Sequence, residues 1–210
     1  MSFKVRKFLI LLNLSLLTIG CKSDKVLYRA TSDYFPLKPG MVWKYINNND
    51  TSVVEVIGDT FVLGHYCILV YHNYLEEFWI KDKTEIKKFV DKKLNRAGYD
   101  YILERQFRRY FPLPLIKGSS WYEDYQNRVD VLGDTIYIKH AIAGRINGWG
   151  DITTPAGNFT EVYNITLIDS LRLNDSLLVE TSHYWLAPEI GIVRYAIPDT
   201  FELVQFTTSR

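Results

Sequence analysis

Cysteine is almost missing from this sequence. Of 210 residues only Cys21 and Cys67 carry a thiol, which excludes both a disulfide-stapled scaffold and a multi-cysteine metal site. A charge surplus is missing too: 25 Lys and Arg stand against 24 Asp and Glu. No basic footprint for nucleic acid follows from that balance. Helical apolar spacing is scarce, with Tyr101 to Tyr110 alone ambiguous between strand and short helix. The common chemical signatures are absent: no His-Glu-x-x-His, no Cys-x-x-Cys, no Gly-x-Ser-x-Gly, no phosphate-cradling glycine loop and no calcium loop. The four histidines, His65, His72, His140 and His183, are scattered. His65 and His72 are seven apart and fall on opposite faces of a continuous strand, which argues against shared metal ligation. The expectation is therefore no catalytic residue, no metal site, no cofactor and no enzymatic role.

What is present begins at the amino terminus. Lys4, Arg6 and Lys7 precede an apolar run from Phe8 to Ile19, followed by Gly20 and Cys21. A basic start, a short apolar core and a small residue before the boundary make residues 1–20 a signal peptide, to be left out of the fold. Leu17-Thr18-Ile19-Gly20-Cys21 resembles the lipobox of bacterial lipoproteins. The resemblance implies lipid attachment at the Cys21 thiol and cleavage before it, with the mature chain held to a membrane of the bacterial cell envelope on its periplasmic or surface face. Removing three basic residues leaves 22 against 24 acids, a net charge near −2. Cys67 is then the single free thiol, and its place in the apolar run HYCILVY reads as buried and inert.

Aromatic residues are abundant, with 5 Trp, 15 Tyr and 11 Phe, a composition suited to pleated, half-buried strands. Residues 21–33 form a lipidated terminus and polar tether. Beyond them, short alternating runs recur between turn signals. In LLVETSHYWL, Val179, Thr181, His183 and Trp185 point one way while Leu178, Glu180, Ser182, Tyr184 and Leu186 point the other. A longer echo is superimposed. YFPLKPGMVWKY at Tyr34 returns as YFPLPLIKGSSWYEDY at Tyr110, and VEVIGDTFVLG at Val54 returns as VDVLGDTIYIK at Val129.

That succession predicts two related halves, 34–109 and 110–210, the second with an insertion at about 136–163, packed as one unit. Pro36 and Pro112 are expected to start strand edges, each Gly-Asp to make a hairpin turn, and Trp79 to correspond to Trp185. The fold class is all-β: an antiparallel sheet curved into a partial barrel or sandwich, with at most one or two short helices.

Three segments carry a second resemblance: Tyr34 to Tyr45, Thr154 to Phe159 and Tyr184 to Tyr195. Their YFPL..G..W.Y, TPAGNF and YWLAPEIGIVRY patterns are similar to those of a broad group of uncharacterised bacterial secreted and lipoprotein domains. The resemblance implies a β-fold and an envelope location, and it transfers no activity.

Candidate sites are few. The pairs Glu76-Glu77 and Glu123-Asp124 read as solvated edges, since strand neighbours face opposite ways. Lys81 to Lys93 reads as a charged hairpin or loop. Within the insertion, GRINGWGD sets Arg145, Asn147, Trp149 and Asp151 among three glycines. Such a loop either stacks a sugar or clasps a peptide, or Trp149 plugs the end of the core. The functional expectation is a membrane-anchored binding or scaffold module with a protein, glycan or lipid partner. A carrier of apolar ligands in a half-barrel and a hydrolase with an unrecognised site remain as alternatives.

Overall fold

The computed structural model describes residues 32–208. Cys21, the signal peptide and most of the tether lie outside that span. The strands, in chain order, are β1 (Val42–Ile46), β2 (Thr51–Val62), β3 (His65–His72), β4 (Leu75–Lys81), β5 (Glu85–Arg96), β6 (Tyr99–Pro112), β7 (Ser120–Val131), β8 (Asp134–Thr154), β9 (Gly157–Leu173), β10 (Ser176–Ala187), β11 (Gly191–Ile197) and β12 (Asp199–Thr207). No helix occurs among the described residues.

All twelve strands belong to one sheet, ordered β6-β5-β4-β3-β2-β1-β12-β11-β10-β9-β8-β7. Neighbours are consecutive in sequence except β1 and β12, which bring the two ends of the chain together as an antiparallel pair. The outer strands β6 and β7 lie against each other, so the sheet curls into a nearly closed barrel. Curling leaves one face inside and one outside, and the period-two alternation of side chains decides which residue goes where. In β10, Ser182, Tyr184 and Leu186 are buried while His183 and Trp185 are only partly covered, as the alternation predicts.

The interior is aromatic. Trp43, Trp79, Trp121, Phe35, Phe111, Tyr45, Tyr184 and Tyr195 belong to one buried cluster with aliphatic residues such as Ile146, Ile165 and Leu203. A buried indole removes roughly 200 Å² from water, on the order of 5 kcal/mol of burial before the entropy of ordering is subtracted. A smaller cluster of Leu103, Val131, Ile136 and Ile138 packs apart from it. The segment ahead of β1 seals part of the interior. Asp33, read as the end of the tether, is gripped by Lys81 at 2.5 Å, and its carbonyl accepts the Glu189 amide at 2.7 Å.

Several local expectations are corrected. Residues 136–163 make up most of the β8–β9 hairpin, and GRINGWGD is strand, not loop. Two bulges, between Ile146 and Gly148 and between Gly150 and Ile152, absorb two of its glycines, while Gly144 pairs in register with Trp121. The two Gly-Asp pairs also differ. Gly133 sits in the turn between β7 and β8 with φ of 91°, whereas Gly58 lies inside β2 at a bulge against β3. Both need the permissive backbone, so sequence alone could not separate turn from bulge. Pro112 ends β6 instead of starting a strand. Trp79 faces the core while Trp185 lies on the outer face beneath the Arg194 guanidinium, 5.5 Å from its ring. The ambiguous Tyr101–Tyr110 stretch is strand, and the Lys81–Lys93 run spans the end of β4 and most of β5.

Candidate functional site

The barrel interior is not filled. A cavity of about 250 Å³ lies among Trp43 and Tyr45 of β1, Val70 and His72 of β3, Glu77 and Trp79 of β4, Lys88 of β5, Tyr110 and Phe111 of β6, Tyr184 of β10 and Tyr195 of β11. Phe35, Pro36 and Leu37 from the segment before β1 line it as well. Glu180, an exposed residue of β10, lines it too. Strand alternation sends every second side chain of β1, β4 and β10 inward, and the wall is therefore assembled from strands remote in sequence.

Most of the wall's polar atoms are already occupied. The Trp43 indole N–H donates to the Ile190 carbonyl at 2.6 Å, and the Tyr45 hydroxyl donates to the Ile192 carbonyl at 2.9 Å. These bonds join β1 to the β10–β11 corner and fix both rings. The Tyr110 and Tyr184 rings face each other with centroids 6.4 Å apart. Burial pushes the Tyr45, Tyr110 and Tyr184 phenols well above the usual tyrosine range, so none supplies an anion near neutral pH.

One ion pair stands in this apolar wall. Lys88 Nζ donates to Glu77 Oε1 at 2.7 Å, and Trp79 Nε1 donates to Glu77 Oε2 at 3.0 Å. His72 Nδ1 lies 3.4 Å from Glu77 Oε1, while its other ring nitrogen meets the Ser52 hydroxyl at 3.0 Å. Burial alone would raise the Glu77 pKa, but the His72 and Lys88 interactions overcome it and hold the carboxyl at about 2. The Lys88 ammonium also sits 5.2 Å from the Trp79 ring centroid and 5.6 Å from that of Tyr110, where the negative ring faces add attraction. Glu77 is thus a correction to the solvated-edge reading of Glu76-Glu77. Its sequence signal was available, because Glu77 shares a strand face with the buried Trp79 two residues on.

A second polar cluster is structural in character. Arg108, Glu104 and His140 are all fully enclosed. Arg108 donates to Glu104 at 2.6 Å and, through Nε, to Glu123 at 3.0 Å. His140 contacts Glu104 through Nδ1 and Asp169 at 2.8 Å through Nε2. Burial opposes charge on His140, yet hydrogen bonds to Asp169 and Glu104 raise its pKa above the ordinary value. Glu123, also read as a solvated edge, is instead a partner of Arg108. Among the described residues no group of three His, Cys, Asp or Glu side chains is placed to hold a metal ion.

The residues singled out in sequence are brought together only in part. Asn147, Trp149 and Asp151 line an outer groove of about 400 Å³ with Asn164, Trp185 and Arg194. Arg145 is exposed on β8 but does not line it. Trp149 is 56% exposed and does not plug the core. The Asn147 amide is spent on Asn164 at 2.7 Å and Thr166 at 2.8 Å, which ties β8 to β9. Cys67 is buried, and burial pushes its thiol pKa up.

No family model matches the sequence, and no curated protein matches it. Similar solved structures include a protein from Parabacteroides distasonis inferred to be a lipoprotein, 13% identical, with 84% of this chain and 99% of that one covered at a TM-score of 0.46. Another is a protein from Bacteroides fragilis inferred to be exported, with a YmcC-like fold. It is 11% identical, with 84% and 100% of the two chains covered at a TM-score of 0.45.

Proposed function

We propose that this protein is a lipid-anchored component of the bacterial cell envelope whose barrel holds a small apolar ligand, and that it binds without performing chemistry. The cavity carries the ligand reading. An aromatic-walled space of about 250 Å³ is what a carrier needs and a pure scaffold lacks. Anchoring rests on the amino-terminal sequence, with Lys4, Arg6 and Lys7 ahead of the apolar run and Cys21 behind it. Binding is favoured over catalysis because the two opposite charges in the wall, Glu77 and Lys88, are committed to each other, and burial keeps the Tyr110 and Tyr184 phenols neutral.

Native mass spectrometry on the chain from Lys22 onward, exported without its anchor and purified gently from the envelope, tests the ligand. A co-purifying mass that disappears on denaturation is expected. A bare protein, unresponsive to added apolar compounds, sinks the reading. Anchoring is tested separately by Cys21→Ser, which is expected to shift the protein from the membrane fraction to the soluble one.

A second reading concerns the outer groove. Exposed Trp149 beside Trp185, with Asp151 and Asn164 at hand, offers a ring face and hydrogen-bonding groups of the kind that stack a sugar or hold a peptide. A glycan or protein partner at that surface is compatible with a ligand inside.

A further inference from the structure

We infer that the cavity selects an uncharged ligand, with an apolar body and a single neutral hydrogen-bonding head; the inference rests on the cavity being the binding site. The two opposite charges in the wall, the half-buried Glu77 and Lys88, neutralise each other at 2.7 Å. A carboxylate ligand drawn to Lys88 must also lie beside Glu77, and an ammonium drawn to Glu77 must lie beside Lys88. Either way the third charge lies beside a like charge; Glu180, the other carboxylate lining the cavity, is exposed to solvent and so a weak counterion, and burial of an unpaired charge is strongly disfavoured.

His72 offers no escape, since one ring nitrogen is held by Ser52 and the other faces Glu77. The phenols are neutral as well. A neutral head meets no such penalty. An ammonium carries three N–H donors, and Glu77 Oε1 is the acceptor bonded to Lys88. Glu77 takes one of these donors, and the others, on an ammonium 5.2 Å from the Trp79 ring centroid and 5.6 Å from that of Tyr110, can serve a hydroxyl, ester or amide oxygen. The Tyr110 and Tyr184 hydroxyls stand at the same end of the wall, near enough to Lys88 for its charge to act on Tyr184. The ion pair therefore acts as a specificity device: it polarises the pocket enough to orient a head group while excluding both signs of charge.

The test is a matched series of one chain length, 1-octanol, octanoate and octylammonium, titrated against the protein at pH 7 with tryptophan fluorescence as readout. Octanol is expected to bind at least about tenfold more tightly than either charged congener. Unmaking the pair one side at a time should invert the preference. Glu77→Gln leaves Lys88 unpaired and is expected to favour octanoate, whereas Lys88→Met leaves Glu77 unpaired and is expected to favour octylammonium. Should the single variants not fold, the wild-type series decides alone. Equal binding of octanol and a charged congener by the wild type overturns the charge inference and leaves the cavity reading standing. Failure of all three to bind overturns the cavity reading itself.

Discussion

Arg108 and Glu123 clasp each other across the one gap in the sheet. Nε of Arg108 on β6 donates to Glu123 Oε2 on β7 at 3.0 Å, its terminal nitrogen donates to the Glu123 carbonyl at 3.0 Å, and the same carboxylate accepts the Arg109 amide at 2.9 Å. Asn127 adds a bond to the Leu103 carbonyl at 3.1 Å. Backbone ladders hold the rest of the barrel, but side chains hold this seam, which also keeps two strand edges from pairing with other chains.

Removing the clasp is expected to be costly. Arg108→Met leaves the buried Glu104 carboxylate to His140 and Gln106 alone and frees Glu123, a loss of up to about 3–5 kcal/mol for breaking a buried pair from one side. Urea unfolding measures it. A cost below about 1 kcal/mol, the range of exposed pairs, would show that the seam is held by something else.

Acid should act through Glu77. Its carboxyl titrates at about 2 in the folded protein against an ordinary value of 4.5, so a depressed native pKa contributes stability above about pH 4.5 that is lost as pH falls toward 2. The contribution is on the order of 3 kcal/mol by linkage. Wild type and Glu77→Gln should therefore differ most at pH 5 to 7 and converge as pH approaches 2. Parallel stability curves across that range would contradict the assignment.

Gly144 should be intolerant of any side chain. It pairs directly with Trp121 across β7 and β8, and a Cβ added there would fall within the indole ring. Gly144→Ala is expected to cost about 1–3 kcal/mol by overpacking, or roughly 2–12 °C in melting temperature for a chain of this size. Combining it with Trp121→Leu should cost less than the two losses summed; strict additivity would separate the residues energetically.

Trp149 offers the opposite expectation. Its indole is more than half exposed, so Trp149→Ala should change stability by no more than about 0.5 kcal/mol and leave octanol binding in the cavity intact. Binding of envelope glycan fragments or peptides, followed by calorimetry, should be lost in the same variant if the outer groove is a site.

Much of the fold was legible because strand formation is local. In Ser182, Tyr184 and Leu186 against His183 and Trp185, alternation alone assigns inside and outside once the face of one residue is known. The same logic reaches Glu77 from Trp79 two residues later, although adjacent acids looked like a solvated edge. It does not reach the bulges. Gly58 in β2 and the glycines of GRINGWGD carry the composition of turns, and only the partner strand distinguishes a bulge from a turn.

By itself, then, the sequence determined that this chain is all-β, that its interior is aromatic and that its first twenty-one residues have the pattern of a lipoprotein signal. Composition and period-two spacing act over a few residues and need no partner to be read. Tertiary structure decided the rest. Closing β1 onto β12 sets the order of the sheet, and that order brings Trp43, Glu77, Lys88, Tyr110 and Tyr184 around one cavity. Their meeting depends on long-range ladder pairing and on the curvature of the whole sheet, quantities that no single stretch of the chain contains.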